Sequence, residues 1–200
     1  MNRESPRIYL ASQSPRRREL LQQIGVTIAE ILHGLDVDET AHAGETPEAY
    51  VRRVAQAKAE AGWCVVEDCK MPPLPVLAAD TTVTLDGRIL GKPADSVEAV
   101  EMLRLLSGRE HRVLSAVALK YAQHFEMALS VSTVRFTALD EGRIRAYLDA
   151  GEFEDKAGAY GIQGRAGMFV EHLNGSYSGV MGLPLFETAE LLRKLGFSLP

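Results

Sequence analysis

Continuous apolar runs alternate along this chain with segments of helical periodicity. The first unit is a short apolar strand at Ile8-Tyr9-Leu10, a tight turn at Ser12-Gln13-Ser14, and a helix opened by Pro15 that ends near Gly25. Ser14 suits an N-cap, and Pro15 suits the first helical position, where no backbone N–H is needed. A loop-like acidic stretch from Gly34 to Glu45 follows. Thr46 and Pro47 then start a helix whose apolar stripe is Tyr50, Val51, Val54, Ala57 and Ala61. Met71-Pro72-Pro73-Leu74-Pro75 reads as a loop. Val76-Leu77-Ala78-Ala79 has the unbroken apolar character of a buried strand and ends in Asp80-Thr81-Thr82. Asp86-Gly87 between Val83-Thr84-Leu85 and Arg88-Ile89-Leu90 is a two-residue hairpin turn. A helix from Ser96 to Leu106 turns Met102, Leu103 and Leu106 inward, and two long strands cover His111 to Tyr121 and Glu126 to Thr137. The remainder reads as a helix from Asp140 to Asp149, a glycine-rich loop from Gly158 to Gly164, a strand around Met168-Phe169-Val170 and a closing helix from Leu183 to Leu195. This alternation predicts an α/β or α+β fold with a mixed sheet, and residues 1–200 read as one domain without repeat or linker.

Composition narrows the function. With 46% hydrophobic and 24% charged residues, the chain has an ordinary soluble composition. Lys and Arg (22) against Asp and Glu (27) leave a net charge of −5, which argues against a broad nucleic-acid surface. No apolar run is long enough to span a bilayer, and Met1 to Arg7 lacks the apolar core of a secretion signal. Cys64 and Cys69 lie close together without the companions of a zinc site; a reduced pair in the cytoplasm is the expectation.

Against that acidic background, Arg16, Arg17 and Arg18 fall in the first turn of a helix, where the macrodipole disfavours cations. Either they fan into solvent, or an anion sits on that end and Ser12, Ser14, the free amides and the guanidinium groups converge on a phosphate. Removing Arg16 or Arg17 should then harm binding and not folding. Asp80, directly after a buried apolar run, would lie where α/β sheets place ligand sites, or else form a turn. Asp36, Asp38 and Glu39 either form a solvated loop or share a divalent ion with Asp80. Lys92, restrained by Pro93, and Lys58, on the flank of its helix, are candidate phosphate contacts or solvent-facing side chains. Gly158, Gly161 and Gly164 allow close backbone approach to a ligand, in a spacing that is neither a P-loop nor a dinucleotide fingerprint. With no nucleophile elbow and no cysteine–histidine signature, hydrolysis through a metal-activated water is more economical than covalent catalysis.

The block from Leu10 to Leu21 (LASQSPRRRELL) resembles the N-terminal signature of the Maf nucleotide pyrophosphatases. Ala79-Asp80-Thr81, Gly91-Lys92-Pro93, the block from Asp155 to Gly164 (DKAGAYGIQG) and the block from Asn174 to Pro184 are similar to that family too, in order from about Ile8 to Leu195. The resemblance implies an elongated α/β fold of the Maf/inosine-triphosphatase-like kind, with a mixed β-sheet flanked by helices and two lobes around a nucleotide-binding cleft, often as a homodimer. It implies hydrolysis of a nucleoside triphosphate to the monophosphate and pyrophosphate with Mg²⁺ or Mn²⁺. By the same resemblance Asp80 is the catalytic base, and Arg16, Thr81 and Gln163 are specificity positions. Ser12, Arg17, Lys58 and Lys92 serve phosphate and metal, and Asp36 is the loop carboxylate, with a shift to Asp38 or Glu39 open. The Tyr160-Gly161-Ile162-Gln163 block points to the subgroup acting on dTTP and UTP. A non-catalytic nucleotide sensor regulating cell division through a protein partner is the alternative.

Overall fold

The computed structural model describes residues 7–199; the segment before Arg7, read above as lacking a secretion core, lies outside the described residues. Seven strands form one mixed sheet: β1 (Arg7–Leu10), β2 (Thr27–Ile31), β3 (Val76–Leu85), β4 (Arg88–Leu90), β5 (Glu110–Tyr121), β6 (His124–Phe136) and β7 (Val170–Asn174). Six helices flank it: α1 (Pro15–Gln23), α2 (Pro47–Asp68), α3 (Ser96–Leu106), α4 (Glu141–Leu148), α5 (Tyr177–Met181) and α6 (Leu185–Lys194). The sheet order is β2-β1-β3-β5-β6-β7, with β4 also paired to β3. β1 runs parallel to β2 and β3, and all other pairs are antiparallel.

One edge of β3 determines where the cleft opens. Its β5 side is paired continuously from Val76 to Thr84. On the other side β1 reaches only Leu77, and β4 begins at Val83. Residues 78–82 therefore have a strand neighbour on one side only. Strand alternation sends Val76 and Ala78 into the core beneath α2, while Leu77 and Ala79 face the core beneath α1 and α6. Val83 and Leu85 join a separate core with α3, α4 and the 3-10 turns at 157–159 and 165–169. The polar residues Asp80 and Thr81 lie between the cores beneath α1, α2 and α6 and the core packed with α3 and α4.

Several expectations are revised. β3 does not end before Asp80: the ladder to β5 carries the backbone through the Asp-Thr-Thr triplet, so Asp80 is a mid-strand residue. The buried face of α2 is Val51, Val54, Ala55, Ala59, Gly62, Trp63 and Val66, whereas Tyr50, Ala57 and Ala61 are only half-buried. β2 and α5 were not anticipated, and residues 165–169 form a 3-10 turn with the strand starting only at Val170. Ser14 occupies the N-cap position of α1, but its hydroxyl makes no capping bond. Thr46 does cap α2, accepting from Ala49 N–H at 3.2 Å. The Asp86-Gly87 hairpin is as expected, both residues adopting positive φ. Cys64 and Cys69 are exposed free thiols.

Candidate active site

A cleft of about 870 Å³ opens at the unpaired edge of β3, within the roughly 300–1,000 Å³ usual for small-molecule sites. Its walls come from the β1–α1 turn, the acidic loop, α2, β3, the loop after β4, the glycine-rich loop and the end of α5. Ser12, Arg16, Arg17, Lys58, Asp80, Thr81, Lys92 and Gln163 all line it. Asp36 and Arg18 are exposed and do not.

Asp80 is 6% exposed. Its Oδ1 accepts from Lys58 Nζ at 2.8 Å, and the same ammonium lies 3.0 Å from Glu39 Oε1. Burial raises the Asp80 pKa, opposed first by Lys58 and then by Arg17. A buried carboxylate reluctant to ionise, with its charged form supported by two cations, is suited to taking up a proton.

Glu39 is the acid of the 36–39 cluster that reaches this point, and the reason lies on α2. Arg53 clamps the loop, binding the Glu45 carboxylate at 2.7 and 2.9 Å and donating to the Asp38 and Thr40 carbonyls. Tyr50 donates to the Glu39 carbonyl at 3.0 Å. Tyr50 looked like part of an apolar stripe; instead its hydroxyl faces the loop, and burial with Asp80 and Glu39 pushes its pKa up to about 12. Asp38 is occupied in its own turn, accepting from Thr40 N–H at 2.8 Å.

The base of the opposite wall is a hydroxyl network. Ser115 Oγ donates to Gly179 O at 2.6 Å, which uses its only proton. At the 2.8 Å contact with Thr81 Oγ1, Ser115 is therefore the acceptor and Thr81 the donor. Thr81 consequently offers the cleft lone pairs and no proton. Ser115 gave no signal in the sequence because it sits inside an otherwise apolar strand. His111, held neutral by burial that lowers its pKa to about 4, meets Tyr160 Oη at 2.8 Å and backs the glycine-rich loop.

Two glycines of that loop are required by its packing against neighbouring segments. A Cβ on Gly158 would meet Val83 at 3.0 Å, and Gly158 also has φ +66°. A Cβ on Gly164 would overlap the Glu152 carboxylate, which accepts from Arg165 N–H at 2.8 Å. Gly158 N–H donates to Gly91 O at 3.0 Å, which ties the Lys92 loop to this segment.

A family model described as "Maf-like protein" matches residues 7–195. The chain belongs to the Maf family. A protein of Dechloromonas aromatica (strain RCB) named dTTP/UTP pyrophosphatase is 55% identical over 197 residues, covering 96% of this chain and 98% of that protein. A namesake from Chromobacterium violaceum is 52% identical over 200 residues, covering 100% of both chains. Among solved structures, the Staphylococcus aureus Ham1 protein shares 17% identity and a TM-score of 0.44, covering 65% of this chain and 71% of that one.

Within this Maf protein the two inner arginines differ in kind. Arg16 makes no hydrogen bond or ion pair among the described residues. Arg17 donates from Nε to Gly182 O at 2.8 Å and from Nη1 to Ser12 Oγ at 2.9 Å, fastening α1 to the end of α5. The expectation that both can be removed without loss of stability is therefore kept for Arg16 and revised for Arg17. Arg16→Ala should lower kcat/KM tenfold or more with Tm unchanged. Arg17→Ala should lower both, since losing two bonds to a cation costs about 1–3 kcal/mol, a Tm drop of at least about 3 °C. Thermal melts beside steady-state kinetics check this; unchanged Tm and kinetics in Arg17→Ala would contradict the staple.

Proposed function

We propose that this protein hydrolyses pyrimidine nucleoside triphosphates, dTTP and UTP in preference, to the monophosphate and pyrophosphate, clearing them from the nucleotide pool. The observation that carries the reading is the buried Asp80 carboxylate, paired with Lys58, in a cleft that also presents Arg16 and Lys92, which have no ion-pair partner among the described residues. Full-length relatives named dTTP/UTP pyrophosphatase support it. A nucleotide sensor would need the phosphate contacts but has no use for such a carboxylate.

In the proposed reaction a water oxygen bonds to the α-phosphorus, and the bond from that phosphorus to the bridging oxygen breaks. Pyrophosphate leaves with the electron pair. The proton of the attacking water passes to Asp80, whose Oδ2 accepts no hydrogen bond among the described residues. Arg16, Arg17, Lys58 and Lys92, with Ser12, neutralise and orient the phosphates, and such preorganised charge is usually the largest catalytic term.

The residues fit a divalent cation. Two carboxylates, Asp80 and Glu39, already converge on one positive centre, the Lys58 ammonium. Mg²⁺ commonly takes one or two protein carboxylates and completes its shell with water and phosphate oxygens. Glu39 would hold Mg²⁺ or Mn²⁺ in the place first given to Asp36, and Asp80 would join it as a ligand only in the alternative in which it is not the base. No group of three or more acidic, histidine or cysteine ligands occurs among the described residues, so the remaining ligands would come from substrate and water. Bound there, the metal supplies phosphate charge neutralisation and a lowered water pKa.

At the base end, the Gln163 carboxamide can accept N3–H of uracil or thymine and donate to O4. Cytosine presents the reverse pattern, which a flipped amide meets, so CTP is a weaker or comparable substrate. The reading treats residues 1–200 as one catalytic unit in the cytoplasm, without nucleic-acid or membrane partners. It also takes the protein to work as a homodimer, with the β6 edge away from β5, which from His124 to Ser132 has no strand partner among the described residues, available to a second copy. The test is pyrophosphate release from a panel of common ribo- and deoxyribonucleotides with Mg²⁺. UTP and dTTP should lead, and Gln163→Ala should flatten the ranking. Equal kcat/KM for ATP, GTP, UTP and dTTP, or unchanged selectivity in Gln163→Ala, would defeat the assignment.

A further inference from the structure

One cleft cation has no task in the reaction just described. Lys156 lines the cleft at the start of the glycine-rich loop. Its Nζ donates to Glu154 O at 3.2 Å and has no ion-pair partner among the described residues. Burial, and next the charge of Arg16, lower its pKa from the ordinary lysine value. Both cations line the cleft, and neither has a carboxylate at ion-pairing distance among the described residues.

Gly161 fixes where the Lys156 side chain runs. A Cβ at Gly161 would lie 2.9 Å from Lys156 Cε and 3.3 Å from Gln163 Oε1. Gly161 does not adopt a left-handed backbone. Its missing side chain therefore makes room for these two neighbours. Lys156 Cε and the oxygen of the Gln163 amide thus both border the space that a Gly161 side chain would fill.

That adjacency points to an atom of the substrate. If Gln163 Oε1 accepts N3–H while its nitrogen donates to O4, the ring position beyond N3, on the oxygen side of the amide, is C2. We propose that Lys156 donates a hydrogen bond from Nζ to the C2 carbonyl oxygen of the pyrimidine base and is a specificity-determining residue. This rests on the base-binding role given above to Gln163. Uracil, thymine and cytosine all carry that carbonyl. Adenine has hydrogen at C2 and guanine an amino group, a donor that would face another donor. Lys156 thereby helps to separate pyrimidines from purines, while Gln163 reads the N3 and C4 edge of the base.

The experiment measures kcat/KM for UTP, CTP, GTP, 2-thio-UTP and 4-thio-UTP in the wild type, K156M and K156R. Sulfur accepts hydrogen bonds poorly, so the thio analogues probe each carbonyl in turn. In the wild type, 2-thio-UTP should fall about tenfold below UTP, as for one hydrogen bond to a charged group. K156M should lose about tenfold on UTP and CTP and less than about twofold on GTP, and its 2-thio penalty should shrink below about twofold while the 4-thio penalty stays. K156R should recover part of the UTP rate. Equal losses on all three natural nucleotides would assign Lys156 to the phosphates and overturn the proposal. So would a 2-thio penalty that persists in K156M, or a wild type that treats 2-thio-UTP as UTP, a result that needs no variant to fold. A wild type with no preference for UTP over GTP would instead sink the function proposed above.

Discussion

Asp80→Asn should leave a folded protein whose turnover falls by about 10² to 10⁴, the usual contribution of a positioned general base. Asparagine keeps the shape and can still accept from Lys58, but it cannot take up the proton of the attacking water. Stability should move the other way. The folded pKa of Asp80 is raised, so the folded state binds this proton more tightly than the unfolded chain does. The group favours folding at acid pH and opposes it once pH exceeds the folded pKa. At neutral pH the asparagine variant escapes that penalty, and Lys58 keeps Glu39 at 3.0 Å. Its Tm should therefore equal or exceed the wild-type value. The same raised pKa places the acid limb of wild-type kcat/KM above the ordinary carboxylate range. Lys58→Met, which removes the foremost influence holding the pKa down, should move the limb of its residual activity to higher pH. Turnover within about threefold of wild type in Asp80→Asn would remove Asp80 from the chemistry.

How much of this was legible in the chain depended on whether the signal was local. The hairpin at Asp86-Gly87, the Thr46-Pro47 helix start and the span Ser96–Leu106 were readable because turn chemistry, capping and 3.6-residue periodicity act within a few residues. β3 was cut short because Asp80-Thr81-Thr82 has the composition of a turn. Only its long-range ladder to β5 keeps it extended, and a single segment does not display that pairing. β2, mostly exposed, lacks the apolar run that marked β1. At the site, the cations and Asp80 were visible as residues out of place: charges on a helix N-terminus, an acid after a buried run. Glu39 could not be separated from Asp36 and Asp38 in the sequence. The choice is made by Arg53 and Tyr50, which lie one helical turn apart on another element and bind the loop. The Thr81–Ser115–Gly179 network was hidden for the same reason, its members being 34 and 64 residues apart.

Withdrawing divalent cations should abolish pyrophosphate release, and Mg²⁺ or Mn²⁺ should restore it. Without metal, the triphosphate would meet Asp80 and Glu39 with only Lys58 between them. A metal held by Glu39 would offset the repulsion between these carboxylates and the phosphates. The loop carboxylate can be identified by titration. Glu39→Gln should raise the metal concentration for half-maximal rate by about tenfold or more, since even outer-shell groups around a metal are worth 10–100-fold in affinity. Asp36→Asn should change it less than about twofold, because Asp36 is exposed and outside the cleft. Tyr50→Phe should fall between them: it deletes the bond to the Glu39 carbonyl and loosens the carboxylate without removing it. The order Glu39→Gln, Tyr50→Phe, Asp36→Asn is the expected ranking of metal requirement. Full activity in excess chelator would refute the metal dependence. A larger effect of Asp36→Asn than of Glu39→Gln would return the ligand to Asp36 and show that the loop held by Arg53 rearranges when substrate binds.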